Sequence, residues 1–165
     1  MPGRPPPRVG LAMLRSVRTI PAADARRLFR DTPIVRVATL LPDGDPHVVP
    51  LWFVWLEEGV YVTCRRSSRV WANLVRDPRV ALEFDRGRAW PEHQGLMLSG
   101  RAELLGADHP AAKQAISAWF EKYRTDLGGS GFEMYADQVA EPALFRLRPD
   151  RIAAWSNGGS RPAQG

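Results

Sequence analysis

The chain has a single cysteine, Cys64, so it cannot close an internal disulfide or build a cysteine-rich zinc module, and a reducing, cytoplasmic setting is expected. Histidine is almost as scarce. His47, His93 and His109 lie in different segments with no ligand spacing between them, which argues against a metal site. No stretch approaches the roughly 20 consecutive apolar residues of a membrane-spanning helix, and the uncharged run His47–Leu56 has only strand length. There is no G-x-S-x-G elbow, no P-loop, and no G-x-G-x-x-G following a strand, since Gly128–Gly131 comes after a helical pattern. Cys64 has no histidine nearby in the sequence and reads as a structural residue at a strand end, not a nucleophile.

What is present fits one ordinary domain. The 165 residues are 44% hydrophobic and 25% charged, and a chain of this size buries roughly 70% of its unfolded surface without staples. The start, Met1–Arg8, is rich in proline and arginine with no apolar segment behind it, unlike a secretory signal. Residues 1–18 are therefore expected to be a flexible leader, 19–156 the domain, and 157–165 a flexible tail. Net charge is +5, which raises nucleic acid as a partner. Five of the 23 positive charges fall in the leader and tail, and the remaining arginines are spread over many segments. A nucleic-acid role ranks last on that distribution, and a local anion site is the more useful expectation.

Along the domain, Pro21 and Asp24 open a short helix whose apolar stripe is Ala25, Leu28 and Phe29. The β-branched run Ile34–Leu41 and the turn Pro42-Asp43-Gly44-Asp45 predict a hairpin, because glycine takes a positive φ without a side-chain clash. Its partner, His47–Leu56, is apolar on both faces and is expected to be buried on both, with a bulge or an unpaired edge at Pro50. A strand at Val60–Cys64, a helix from Arg69, a strand at Arg79–Asp85 and the alternating strand Gly95–Leu105 follow. Residues 109–126 form a helix with Ala112, Ala115, Ile116, Trp119, Phe120 and Tyr123 as its buried stripe. A glycine loop at 128–131, a short helical piece and two closing strands, Ala143–Arg148 and Arg151–Trp155, complete the chain. Six or seven antiparallel strands without regular strand–helix alternation predict a mainly β, α+β fold: a closed or half-closed barrel with helices packed outside.

The informative stretch is Val62–Leu74. A strand ends, Arg65 and Arg66 follow, Ser67 and Ser68 stand where a helix starts, and Arg69 lies in its first turn. Free amides at a helix N-terminus, hydroxyls and guanidinium groups together make a phosphate receptor. The same residues also suit a plain serine cap with solvated arginines.

The ordered set Arg36-Val37-Ala38-Thr39, Asp43-Gly44, His47–Phe53, Thr63, Ser68-Arg69, Asn73-Leu74, Asp77–Val80, Gly100-Arg101-Ala102 and Phe145–Arg151 resembles the pyridoxamine 5'-phosphate oxidase-like, flavin-binding split-barrel superfamily over residues about 20 to 156. The resemblance implies an antiparallel split β-barrel, a homodimer with two cofactor sites at the subunit interface, and FMN or the deazaflavin F420 held by its phosphate end. Ser68 and Arg69 match the family's phosphate-binding pair, Thr63 the strand-end residue near the ring, and Val49, Pro50, Leu51 and Trp52 the strand lying along it. Arg65, Arg66 and Asn73 complete the expected cofactor contacts. Two positions depart from the family. Val70 stands where a lysine often follows the arginine, and the C-terminal arginine segment of a true pyridoxamine phosphate oxidase is absent, which argues against vitamin B6 synthesis. No catalytic side chain is then required, because a flavin carries its own hydride chemistry. The expected function is a flavin- or deazaflavin-dependent oxidoreductase acting on a small organic acceptor. The alternative is a protein that holds a cofactor or haem without turnover.

Overall fold

The computed structural model describes residues 18–106, 108–127 and 143–158. Its elements run β1 (Arg18–Thr19), α1 (Ala22–Phe29), β2 (Val35–Leu40), β3 (Pro46–Leu51), β4 (Phe53–Leu56), β5 (Gly59–Cys64), α2 (Arg69–Arg76), β6 (Arg79–Arg86), β7 (Gln94–Leu105), α3 (Pro110–Leu127), β8 (Ala143–Leu147) and β9 (Arg151–Ser156), with a single 3-10 turn at Trp90–Glu92. The expected leader and tail, the 128–131 loop and the helical piece after it lie largely outside the described residues. Arg18, the last residue of the expected leader, and Thr19 pair with Ser156 and Trp155, so residue 18 belongs to the sheet.

The strands form an antiparallel path in the order β3-β2-β6-β7-β8-β5-β4, with β9 on a second edge of β7. Twelve-residue β7 is where the sheet divides: Gln94–Ser99 pair with β9, and Ala102–Leu105 pair with β8. The two ends of the path, β3 and β4, are consecutive in the chain with only Trp52 between them. That connection curls the sheet into a half-barrel, the mainly β fold with flanking helices that the sequence predicts.

The expected continuous strand His47–Leu56 is therefore two strands in different parts of the sheet. β3 is an edge strand whose residues alternate between exposed and half-buried, so the expectation of burial on both faces fails there. The edge position at Pro50 is as expected. Pro50 sits opposite Arg36 with no bulge in the register. At the β2–β3 turn Gly44 has φ +93°, the conformation the Asp43-Gly44 pair supplies.

Two apolar clusters hold the molecule. The barrel interior contains Phe29, Val37, Phe53, Leu82, Phe84 and Phe145, all fully buried. A second cluster fills the space between α3 and the outer face of β4, β5 and β8, around Val54, Tyr61, Ala115, Trp119, Tyr123 and Leu144. Helix α2 inserts Val70 and Leu74 into the barrel cluster, which fixes how its N-terminus is presented.

Candidate functional site

Ser68 is the N-cap of α2: its backbone is extended, and its Oγ accepts a hydrogen bond from the Trp71 amide at 3.2 Å. The same hydroxyl is hydrogen-bonded to the Cys64 thiol, which ties the cap to the end of β5. No acidic residue stands in that turn, while Arg69 occupies its first position. Cations at the positive end of a helix are unfavourable, so the local charge is uncompensated from within the helix. Arg69 and Arg66 are exposed and make no ion pair among the described residues. Arg66 is held instead over the Trp71 ring, its Cζ 5.1 Å from the centroid.

Beside this N-terminus is a depression of about 410 Å³ lined by Pro42, Ser67, Ser68, Arg69, Ala72, Asn73 and Arg76. It gathers Ser68, Arg69 and Asn73 from the sequence expectation. Arg65 and Arg66 stand outside its lining, and Val70 is 3% exposed in the barrel core, so position 70 faces away from it. Asn73 is buried in the joint between helix and sheet. Its Nδ2 donates to Thr39 Oγ1 at 3.0 Å, and Thr39 Oγ1 also lies 3.3 Å from His47 Nδ1. Arg76 escapes a sequence reading because it looks like a solvated last-turn cation. Its spacing from Arg69 and Asn73 along one helix face is the signal that finds it.

The strand residues form a second group. Val49 and Leu51 pack against the barrel core, and Pro50 is exposed. β3 is hydrogen-bonded only to β2, so alternate backbone groups along Val49–Leu51 point away from the sheet. Thr63 joins this group: its amide donates to the Trp52 carbonyl at 3.3 Å. The Thr63 hydroxyl is buried and has no hydrogen-bond partner among the described residues, a costly state for a group 7% exposed. Cys64, next along β5, is half-buried. Burial pushes its thiol up to about 11, outweighing the Ser68 hydrogen bond and the charge of Arg66, so it is no nucleophile at neutral pH.

Helix α3 fixes the corner between the two groups. Trp52 stacks on Tyr123 with centroids 5.0 Å apart, and Tyr123 Oη accepts from the Phe53 amide at 3.1 Å. Lys122 Nζ donates to the carbonyls of Arg30 and Phe53 at 2.9 and 3.2 Å and lies 3.6 Å from the Phe53 ring centroid. Burial lowers its ammonium to about 8, against an opposing pull from Asp31. The folded chain thus releases this proton near 8, whereas the unfolded chain keeps it to about 10.5. Between those values the unfolded state holds more protons, so this group makes stability rise with pH. Urea midpoints at pH 7.5 and 9.5 should show the wild type gaining on Lys122→Met. A constant difference between the two proteins would remove the effect.

Two further tryptophans take part in packing. Trp55 stacks on Phe84 at 5.5 Å, and Trp155 lies so close over Gly95 that a Cβ there would come within 2.1 Å of its ring. Among the described residues no cluster of three histidine, cysteine, aspartate or glutamate side chains is placed to hold a metal ion. No described helix is long and apolar enough to cross a membrane.

The sequence model of the family described as pyridoxamine 5'-phosphate oxidase matches residues 22–156, which include every element from α1 to β9. The chain belongs to the pyridoxamine 5'-phosphate oxidase family. Solved structures agree on the fold. A conserved hypothetical protein of Mycobacterium tuberculosis, Rv2991, superimposes with a TM-score of 0.71 at 22% identity, covering 88% of this chain and 92% of that one. An FAD-binding protein of Mesorhizobium loti, mll6688, gives 0.66 at 20% identity over 84% and 96%. The haem storage protein HutZ of Vibrio cholerae gives 0.65 at 23% identity over 86% and 97%. No curated protein matches the chain. Members of this fold family thus include flavin binders and haem binders.

Proposed function

We propose that the chain binds a flavin or deazaflavin, FMN or F420, and uses it as an oxidoreductase that passes hydride to or from a small organic acceptor. The observation that carries this reading is the buried, unpartnered Thr63 hydroxyl on the strand that leads into the uncompensated cationic N-terminus of α2. A phosphate fits the second feature, and a polar group of the ring or its side chain fits the first. Ser68, Arg69 and the first-turn amides would hold the phosphate, and Val49–Trp52 and Thr63 the ring. The bound ring supplies the hydride chemistry. The chain's own residues bind, orient and shield it.

Titration of the purified protein with FMN and F420, followed by tryptophan quenching, tests the binding. Arg69→Ala should weaken affinity by roughly 1.5–3 kcal/mol, the worth of a charge-assisted phosphate bond. Unchanged affinity in that variant would move the site elsewhere. A second reading draws on the same depression, whose lining contains no carboxylate, histidine or cysteine that could serve as an acid or base. A protein that stores a cofactor or haem without turnover needs none. A bound chromophore that is bleached by a reductant and recoloured by an added acceptor supports the enzyme; one that no acceptor recolours supports storage.

A cytoplasmic homodimer belongs to this proposal. The sheet face of β2, β6 and β7 carries a depression of about 530 Å³ lined by the small residues Ala38, Ala81, Ser99 and Gly100 and by the charged Arg79, Arg101, Asp150 and Arg151, and Val48 on β3 and Met97 on β7 are exposed. A sheet face with exposed apolar side chains and charges of both signs suits a second copy of the chain, and light scattering measures it directly.

A further inference from the structure

The chain has two lysines, Lys113 and Lys122, both on α3. Lys113 is exposed, whereas Lys122 is half-buried at the corner where the end of α1 meets β4 and α3. Its Nζ donates to the Arg30 and Phe53 carbonyls at 2.9 and 3.2 Å, and the ring centroids of Phe53 and Tyr123 lie 3.6 and 5.2 Å from it. No carboxylate forms an ion pair with it among the described residues: Asp31 pairs with Arg30 at 3.3 Å and Glu121 with Arg124 at 3.2 Å. A neutral amine has two N–H groups, and the two carbonyls use both, so its lone pair has no polar partner among the described residues. The side chain also lines a depression of about 480 Å³ with an apolar wall of Val54, Trp55, Leu56 and Ala118, together with Arg30, Asp31 and Glu121. This depression shares no residue with the one at α2.

We propose that Lys122 is a modification site, a nucleophilic amine that takes an acyl group from an activated acyl donor. The lone pair attacks the donor's carbonyl carbon, and the C–N bond forms as the bond to the leaving group breaks. The electron pair departs on sulfur from a thioester or on oxygen from an acyl phosphate, and the nitrogen gives up one proton to water. Burial supplies the neutral amine. With the ammonium lowered to about 8 against the pull of Asp31, about half is unprotonated at pH 8, compared with less than about 1% for an ordinary lysine. An acyl group suits this place better than a carbamate, because the amide adds no negative charge beside Asp31 and Glu121, and its apolar end has Val54, Trp55, Leu56 and Ala118 to lie against. The amide retains one N–H for two carbonyls, so acylation removes a tie between α3 and either Phe53 or the end of α1.

Acetylation of the full folded chain, followed at each lysine by peptide mass spectrometry, tests this with Lys113 as the internal reference. Two probes distinguish the donors: a small S-acetyl thioester and acetyl phosphate. At pH 8 at least one of them should acetylate Lys122 threefold or more faster than Lys113, and the probe that does so identifies the donor. Lower basicity weakens the nucleophile and offsets part of the gain in neutral amine, as it does for thiols, which keeps the expected ratio modest. The Lys122 rate should level off above about pH 8, while that of Lys113 climbs until about pH 10. A ratio below threefold from both probes overturns the proposal, as does a Lys122 rate that climbs in parallel with that of Lys113. Faster acetylation of Lys122 in urea than in the folded chain overturns it too, since the fold would then shield the nitrogen and not activate it.

Discussion

Replacing Phe84 by alanine is expected to cost about 4 kcal/mol, the largest loss at any single position considered, and to lower Tm by about 10 °C. Phe84 is on β6, fully buried, and packs against three aromatic rings from two other elements. Phe53 of β4 meets it edge-on at 4.9 Å, Trp55 stacks at 5.5 Å, and Phe29 of α1 lies at 6.4 Å. Truncation leaves a cavity whose walls are large rings anchored on separate backbones, so collapse is limited and the cavity term adds to the lost transfer energy. The effect extends to the candidate site, because Phe53 and Trp55 belong to the strand that begins just after Trp52. Phe84→Leu keeps most of the volume and should cost about 1.5 kcal/mol. Urea unfolding followed by tryptophan fluorescence measures both. A loss below about 1 kcal/mol for the alanine variant would show that β4 does not depend on this contact.

The same corner shows what the sequence makes legible and what it hides. Asp43-Gly44 announces its turn because only one residue type takes that φ cheaply, and Ser68 announces α2 because a helix start needs a side-chain acceptor. The barrel class follows from the alternation visible in Gly95–Leu105. The division of His47–Leu56 at Trp52 is hidden, since every residue from Val48 to Leu56 is apolar or proline and no change of period marks the break. Tertiary partners decide it. Tyr123 and Lys122, some 70 residues away, take the backbone groups of Phe53 out of register with β3. In the candidate site, Ser68 and Arg69 are legible from local spacing and Asn73 from the family resemblance, and the three line one depression. The unpartnered Thr63 hydroxyl is a property of surroundings, not of spacing. Arg76 shares a helix face with Arg69 and Asn73 by spacing, but its bond to Asn73 Oδ1 is seen only in the folded chain.

Arg146→Ala is the second large expected loss, about 3 kcal/mol. The Arg146 side chain on β8 is only 4% exposed, and its guanidinium reaches three groups. Nε and Nη2 donate to Glu103 at 3.0 and 2.7 Å, and Nη1 donates to Glu58 at 2.5 Å and to the Tyr61 hydroxyl at 3.2 Å. Both carboxylates are about half exposed, so solvent rescues them when the arginine is removed, and the loss is smaller than for a fully buried pair. Tyr61, at 1% exposure, has no such recourse and contributes the larger share. Arg146→Met, which keeps an apolar stem, should recover about half of the loss and so separates packing from charge. Acid provides a further arm. The hydrogen bond from Arg146 holds the Glu103 carboxyl below its usual value of 4.5. Its contribution is therefore complete above that value and is lost as pH falls through the lowered one. The stability gap between wild type and Arg146→Ala should be constant from pH 5 to 7 and narrow below about pH 4. A gap that stays open in acid would assign the whole effect to packing around Tyr61 and none to the ion pairs that close β8 onto the β4–β5 turn.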